Sequence, residues 1–215
     1  MVIAILLILA GLLFPVFAQG RKSAHNTVCA ANLGNIAKAV HLYVADSDDA
    51  YPPVVEPYLV NFFEQVGEEH AKSSEDLPSA LHPYVGSNAV FRCPRDIGMR
   101  YADFLQFDST QLPSSFASSG SSYWFNEQLY FSDATTTSVA YPSSTALVND
   151  RTGAWHEFEE EGEVPGAQQL YKVSKDYRYN TVFTDGHISK LTPRQLNAAK
   201  GAVYGRDWIV NVDIP

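Results

Sequence analysis

An apolar run opens the chain: residues 1–18 contain no charged or hydrogen-bonding side chain. At ~1.5 Å rise per residue such a helix spans ~27 Å, close to the ~30 Å hydrocarbon core of a bilayer. From Ser23 to Val44 apolar residues recur at three- and four-residue intervals, which extends the helical pattern for ~6 turns. The pattern predicts one long helix, with a transmembrane or filament-core half at 1–18 and an amphipathic half at 19–50.

A cleaved secretory signal peptide is the alternative interpretation of this segment. The small side chains around Val16 and Ala18 have the spacing of a cleavage site before Gln19. However, no Lys or Arg precedes the run, and a signal peptide needs a basic segment there to hold its start in the cytoplasm. The uncleaved helix is therefore favoured. Within it, Pro15 removes one backbone hydrogen bond, which predicts a helix kink of the kind tolerated in a packed bundle.

Residues 51–215 are left for one extracytoplasmic globular domain, long enough to bury a core. The formal net charge of -9 and the pI near 5.0 argue against a nucleic-acid partner, because phosphate binding needs clustered Lys and Arg. Two cysteines, Cys29 on the helix and Cys93, are expected to pair in an oxidising compartment, and two buried free thiols are the alternative.

Turn residues and short periodic patterns predict the remaining elements. Helices are expected at 58–67 and 77–84, and strands at 89–92, 122–126, 145–149 and 169–172. Segments 179–183 and 187–191 flank Asp185-Gly186, a pair that suits the positive φ angles of a tight hairpin turn. Thr192 should cap a last helix that starts at Pro193 and ends before Gly201. A long amino-terminal helix packed on a small antiparallel sheet is an α+β fold.

Acidic side chains offer weak candidates for a calcium site. Asp46, Asp48 and Asp49 lie just before Pro52, where the helix is expected to stop. Their oxygens and that of Asp185 suit Ca²⁺, although the Gly and distal Glu of an EF-hand loop are missing. Solvated helix-terminal side chains are the alternative, and no other cofactor is expected.

Catalytic motifs are not recognisable in the chain. His156-Glu157 is not followed by a second histidine at the spacing of a zinc protease, and the acidic stretch 157–163 is expected to be a solvated loop. Asp185 and His187 have no Gly-x-Ser-x-Gly elbow to supply a nucleophile. The chain is therefore predicted not to be an enzyme.

Several blocks of the chain resemble one bacterial family, in the family's order. They are Phe14-Pro15-Val16-Phe17-Ala18-Gln19, Cys29, Asn32-Leu33, Tyr43, Pro52-Pro53, Phe91-Arg92-Cys93-Pro94, Tyr123-Trp124-Phe125-Asn126, and the signature formed by Asn180, Phe183, Asp185, Gly186 and His187. The family is that of type IV pilin-like proteins and type II secretion pseudopilins, in its DUF1559-type branch with a prepilin-type amino-terminal helix. The resemblance covers most of the chain and implies a pilin-like fold.

The resemblance also implies a function. The chain would be a structural subunit of a type IV pilus-like or type II secretion-like filament and would polymerise with other pilin-like subunits through its apolar helix. It would be anchored in the inner membrane before assembly, with a periplasmic domain, and lie in a periplasmic or extracellular filament afterwards; its cargo is not indicated. The alternative is a membrane-anchored or secreted monomeric module that binds a sugar or peptide through aromatic loops containing Trp124, Tyr130 and Trp155.

Two departures from the family pattern stand out. The processing motif, Gly followed by Phe-Thr-Leu-Ile-Glu, does not precede Met1, so the reading frame is expected to extend upstream through a basic leader. Lys175 stands ten residues before Asp185, where many relatives carry a histidine. Asp185-Gly186 is interpreted as a hairpin corner that places Phe183 inward and His187 at the start of the return strand.

Overall fold

The computed structural model describes residues 2–57, 59–60, 69–98, 111–153, 155 and 177–201. Within 2–18 it describes the backbone and the side chains of Ile3, Gly11, Leu13, Phe14 and Phe17. Helix α1 runs over Val2–Asp46, so the prediction of a single long helix is confirmed. The helix predicted at 58–67 lies largely, and the strand at 169–172 entirely, outside the described residues.

One stripe of α1 lies at the centre of the protein core. Buried side chains follow one another along it at three- and four-residue intervals, namely Cys29, Leu33, Ile36, Val40 and Val44. Residues at this spacing share one helix face, so the second half of α1 presents a continuous apolar surface to the rest of the protein.

Helix α1 ends at the acidic turn formed by residues 46–49. It therefore ends before Pro52, the predicted stop. The helix stops at Asp46, and Asp48 and Asp49 adopt left-handed φ angles of 51° and 68°. The backbone N–H of Asp49 donates to the carbonyl of Val44 at 3.1 Å and closes the last turn. Asp tolerates the left-handed region better than most residues do, so the turn is encoded locally.

Short helices lead from α1 towards the sheet. Helix α2 spans Leu77–Leu81 and continues as a 3-10 turn over His82–Tyr84, which confirms the helix predicted at 77–84. Asp76 starts α2 by accepting a hydrogen bond from the Ser79 N–H at 2.8 Å. A further 3-10 turn precedes it at Glu69–Ser73.

The strand predicted at 89–92 is wrong. Asn88–Phe91 is a 3-10 turn that begins at Ser87, whose hydroxyl accepts a hydrogen bond from the Ala89 N–H at 3.2 Å. The turn buries Phe91 completely. Alternation of apolar and polar residues over so few positions does not separate a strand from a turn, and here tertiary packing decides.

Four strands form an antiparallel sheet in the order β1-β2-β3-β4. The strands predicted at 122–126 and 145–149 and the carboxy-terminal hairpin are confirmed. Phe125 of β1 pairs with Val148 of β2, and Val148 pairs with Val182 of β3. The bounds are Tyr123–Phe125 for β1, Ala146–Asp150 for β2, Tyr179–Phe183 for β3 and Ile188–Leu191 for β4. Along the chain, helix α3 (Ser115–Ser119) precedes β1 and helix α4 (Gln128–Phe131) follows it.

The loop of the hairpin differs in detail from the prediction. The Gly186 N–H donates to the Phe183 carbonyl at 2.8 Å, and the Phe183 N–H donates to the His187 carbonyl at 2.9 Å. Gly186 has a φ of 89°, whereas Asp185 is not left-handed. The corner is therefore a three-residue loop through Thr184, in which only the glycine needs a positive φ.

The sheet lies between two helices. Val182 and Phe183 are consecutive in β3 and so point to opposite faces. Val182 packs in the core that contains α1, whereas Phe183 packs with Leu196 and Ala199 of helix α5, which spans Pro193–Gly201. The chain is thus an α+β protein with its long amino-terminal helix packed on an antiparallel sheet, as predicted.

The start of α5 is confirmed as well. The Gln195 N–H donates to the Thr192 hydroxyl at 3.3 Å, and the Thr192 N–H donates to the Gln195 side-chain oxygen at 2.9 Å, which forms a reciprocal cap. Pro193 is the first helical residue. Gly201, expected beyond the helix, is its last residue.

Candidate functional site

Large apolar side chains are exposed on the first half of α1. The exposed fractions are 74% for Ile3, 51% for Leu13, 81% for Phe14 and 71% for Phe17. Along α1 the described core cluster starts only at Cys29. The four large apolar side chains described in this part of α1 are therefore exposed, whereas from Cys29 onwards the helix packs in the domain.

We call residues 2–18 of α1 the apolar stalk; its sequence is apolar throughout, and its described large side chains favour contact with another apolar surface. Burying one Leu, Ile or Phe side chain contributes roughly 1.5–3 kcal/mol. Contiguous exposed apolar surface marks membrane or protein contact sites. The apolar stalk is accordingly the candidate functional site of this chain.

A covalent and hydrogen-bonded junction fastens the domain to α1 just beyond the apolar stalk. The predicted disulfide between Cys29 and Cys93 is present, with the two Cα atoms 5.1 Å apart and both residues buried. One helical turn further on, Asn32 Nδ2 donates to the Arg92 carbonyl at 2.8 Å. The Tyr123 hydroxyl donates to the Cys29 carbonyl at 3.4 Å, which also ties strand β1 to the same turn of α1.

Asp96 organises the loop that carries Cys93. Its carboxylate accepts hydrogen bonds from the backbone N–H groups of Gly98 and Ser115 at 2.9 Å and of Phe116 at 2.8 Å, and from the Ser122 hydroxyl at 2.6 Å. A half-buried carboxylate with this many donors is well satisfied. Asp96 therefore connects the disulfide loop to the start of α3 and to the residue before β1.

The four candidate calcium ligands do not come together in one described cluster. Asp46 and Asp48 are exposed at the end of α1, and the Asp49 carboxylate accepts hydrogen bonds from the Thr136 and Thr137 hydroxyls, the second at 3.3 Å. Asp185 lies in the hairpin loop. In the described ranges, no group of three or more His, Cys, Asp or Glu side chains could hold a metal ion.

The signature residue Asn180 joins β3 to β2. Its backbone N–H and its Nδ2 both donate to Asp150 Oδ2 at 2.8 Å, and both residues are buried. Asp150 pairs with Tyr123 in the neighbouring strand. Burial, together with the nearby Asp150 carboxylate, strongly raises the pKa of Tyr123, so its hydroxyl stays protonated and can donate to α1.

The other signature residues form the hairpin corner. Phe183 is buried, as predicted, and the His187 ring stacks on it. Asp185 accepts hydrogen bonds from the His187 N–H at 3.0 Å and pairs with its Nδ1 at 2.6 Å. Burial acts to raise the pKa of Asp185, but these hydrogen bonds outweigh burial and lower the pKa.

The three aromatic residues of the alternative binding-module hypothesis do not share one open surface. Trp155 is buried, and its Nε1 donates to the Gly98 carbonyl at 3.0 Å. Trp124 is half-buried beneath Lys200, whose Nζ lies 4.6 Å from the indole centroid. Tyr130 is half-buried and contacts Phe131 with the ring centroids 5.5 Å apart.

A buried ion pair that the sequence did not indicate joins the segment after α1 to the end of β2. Arg151 donates from both terminal nitrogens to the two carboxylate oxygens of Glu56, at 2.8 and 2.9 Å. Both side chains are almost fully excluded from solvent. A bidentate pair of this kind fixes the relative position of the two segments.

Two further ionisable side chains, Glu127 and Lys200 of α5, lie near this pair. The indole N–H of Trp124 donates to the buried Glu127 carboxylate, and Lys200 covers the same indole ring. Burial raises the pKa of Glu127 to about 7, although the charge of Lys200 opposes the shift. Burial lowers the pKa of Lys200, and Glu127 opposes that change.

This charge cluster has only a weak sequence signal. Its four members come from separate segments, and Glu56 and Arg151 are 95 residues apart. Lys200, four residues after Leu196 on the buried side of α5, is the one hint, because a basic residue on an apolar helix face often has an acidic partner.

Three predictions, the membrane span, the kink at Pro15 and the acidic loop, concern residues that the structure describes only in part or not at all. Among the described parts of the chain, no helix is long and apolar enough to cross a membrane. Most side chains of 1–18, including that of Pro15, lie outside the described residues, and the membrane span and the helix kink stay predictions. The acidic loop at 157–163 and Lys175 also lie outside them.

The fold and the site define an α+β protein with a disulfide-fastened amino-terminal helix and an exposed apolar stalk. No protein-family model matches the chain, and no curated protein or solved structure matches it either.

Proposed function

We propose that this chain is a pilin-like structural subunit, a pilin or pseudopilin, that polymerises through its apolar stalk. The observation that carries the proposal is the exposure of Ile3, Leu13, Phe14 and Phe17 near the start of α1, while the helix packs under the domain from Cys29 onwards. Before assembly the inner membrane covers the apolar stalk, and afterwards the stalks of other subunits cover it.

The exchange of lipid for other helices costs little hydrophobic free energy. Lipid tails and apolar side chains are similar solvents for Phe14 and Phe17, so association depends on close packing between helices. A chain whose apolar helix is equally stable in lipid and among other apolar helices can leave the membrane and enter a filament. The apolar stalk is therefore compatible with a subunit that starts in the membrane and ends in a filament.

The junction at Cys29 suits a filament subunit. If the stalks form the filament centre, the domains lie outside, and any pull on a domain passes to its stalk through the α1 interface. The Cys29–Cys93 bond and the Asn32–Arg92 hydrogen bond lie at the start of that interface, where separation would begin. A covalent bond at this point holds domain and stalk together under load.

The test is assembly in cells that express the chain from its own locus. Electron microscopy of sheared and sedimented material should show filaments that contain the chain. Changing Phe14→Ser and Phe17→Ser together should abolish the filaments, because two large apolar contacts are lost in every subunit.

Tyr141→Ser is the matched control, since Tyr141 is 68% exposed but lies in the loop before β2. It should leave assembly intact. Filaments that form equally well from the Phe14/Phe17 variant, or a parent chain that never appears in filaments, would rule out the proposal.

A further inference from the structure

Charge is divided sharply between the two parts of the chain. Residues 1–45 contain three basic residues, Arg21, Lys22 and Lys38, and no acidic one, so all 24 acidic residues lie from Asp46 onwards. Because opposite charges guide association, a basic helix and an acidic domain favour contact between different copies of the chain.

On the exposed face of α1, one basic and one acidic side chain lie about two helical turns apart. Lys38, Leu42 and Asp46 follow at four-residue intervals, lie on one face and are all exposed, with Leu42 54% exposed. Lys38 has no ion-pair partner among the described residues. Asp46 lies beside the Tyr84 hydroxyl, whose pKa is raised by burial and by this carboxylate. A carboxylate has room for further donors beyond one hydroxyl.

Lys38 and Asp46 cannot neutralise each other within one chain. Eight residues of helix separate them, which corresponds to ~12 Å along the axis. A second copy of α1 that runs parallel and is displaced by this distance places its Asp46 opposite Lys38 of the first copy. Because eight residues also turn the helix by ~80°, Lys38 of the second copy faces to one side of the first copy and can meet the Asp46 of a third copy.

We propose that Lys38, Leu42 and Asp46 form a head-to-tail contact between successive copies of this chain, with Lys38 of one copy paired to Asp46 of the next. The inference rests on the proposed function and adds the residues that pair between copies and the axial displacement. Such a head-to-tail contact does not close on itself, so it generates an open assembly. Leu42 lies between the two charges and excludes water from them.

Charge reversal and its rescue test the contact. Lys38→Glu and Asp46→Lys should each raise the concentration needed for assembly about tenfold, because like charges would face each other at every contact. The double variant Lys38→Glu/Asp46→Lys restores opposite charges and should assemble within about twofold of the parent. Arg194→Glu on α5, on the other side of the sheet, makes the same charge change as a control and should assemble normally.

Each outcome decides between the two proposals. If the parent forms no filaments, the proposed function fails, and this contact fails with it. If the parent assembles and Lys38→Glu assembles as well as Arg194→Glu, only the contact is refuted. A double variant that stays as defective as the single variants also refutes it. Circular dichroism confirms folding, and Lys38→Gln and Asp46→Asn, which only remove charge, replace any reversal variant that unfolds.

Discussion

The imidazole ring of His187 stacks on the phenyl ring of Phe183, with centroids 4.2 Å apart and planes inclined by 8°. The Asp185 carboxylate pairs with Nδ1 of the same imidazole at 2.6 Å. The Asp-Gly-His part of the signature therefore has an architectural explanation here, because each residue supports the return of the chain from β3 to β4.

The first prediction concerns this corner. Gly186→Val should lower the free energy of unfolding by about 1–3 kcal/mol, because a β-branched residue is strained at a φ of 89° although an added Cβ would meet no atom within 4 Å. Asp185→Asn should cost less than about 1 kcal/mol, since Asn can accept the same backbone hydrogen bond. Denaturant titrations measure both values.

An equally large loss in Asp185→Asn would contradict the architectural explanation. If calcium then raised the Tm of the parent but not of Asp185→Asn, a bound cation would be the better account of Asp185.

The second prediction concerns the disulfide. Replacing Cys29 and Cys93 together by Ala should lower stability under non-reducing conditions by roughly 3–4 kcal/mol, because the cross-link restricts a long loop in the unfolded chain. With reductant during unfolding, the parent should approach the variant. Detection of two alkylatable thiols in the folded, exported parent by mass spectrometry would show that the bond does not form.

The third prediction concerns the buried ion pair. Arg151→Met should lower stability by about 3–5 kcal/mol, since it leaves the Glu56 carboxylate buried without its partner. Glu56→Gln/Arg151→Met removes both charges and should recover part of this loss. A double-mutant cycle measures the coupling, and additive losses would mean that the two side chains act independently.

The fourth prediction concerns pH. Glu127 has a pKa of about 7 in the folded protein against 4.5 for an unperturbed glutamate, so the folded state binds the proton more tightly. Its contribution to stability is therefore fully present below pH 4.5 and is lost as pH rises through 7, by about 3 kcal/mol in total.

Glu127→Gln, which is neutral at every pH, provides the comparison. The difference in unfolding free energy between parent and variant should change by this amount between pH 4.5 and 8, in favour of the variant at high pH. A constant difference across that range would show that burial does not shift the pKa of Glu127. Because parent and variant share every other titratable group, the difference between their unfolding free energies reports the titration of Glu127.

Local sequence determined a large part of this fold. The end of α1 follows from Asp48 and Asp49, which accept left-handed angles, the hairpin follows from Gly186, and the start of α5 follows from Thr192 with Gln195. Each of these depends on residues within a few positions of one another. The apolar stalk is visible for the same reason, since an uninterrupted apolar run needs no knowledge of the rest of the chain.

Only the tertiary structure decided the remainder. Nothing near Glu56 indicates that its carboxylate meets Arg151, and nothing near Asp96 indicates its bonds to Ser115 and Ser122. The segment that ends at Phe91 forms a 3-10 turn and not a strand, because the turn places the Phe91 side chain in the core. Sequence patterns indicate which side chains are buried and which backbone angles a residue adopts without strain. The pairing of buried polar groups depends instead on where distant segments meet, and the packing of the whole chain sets those positions.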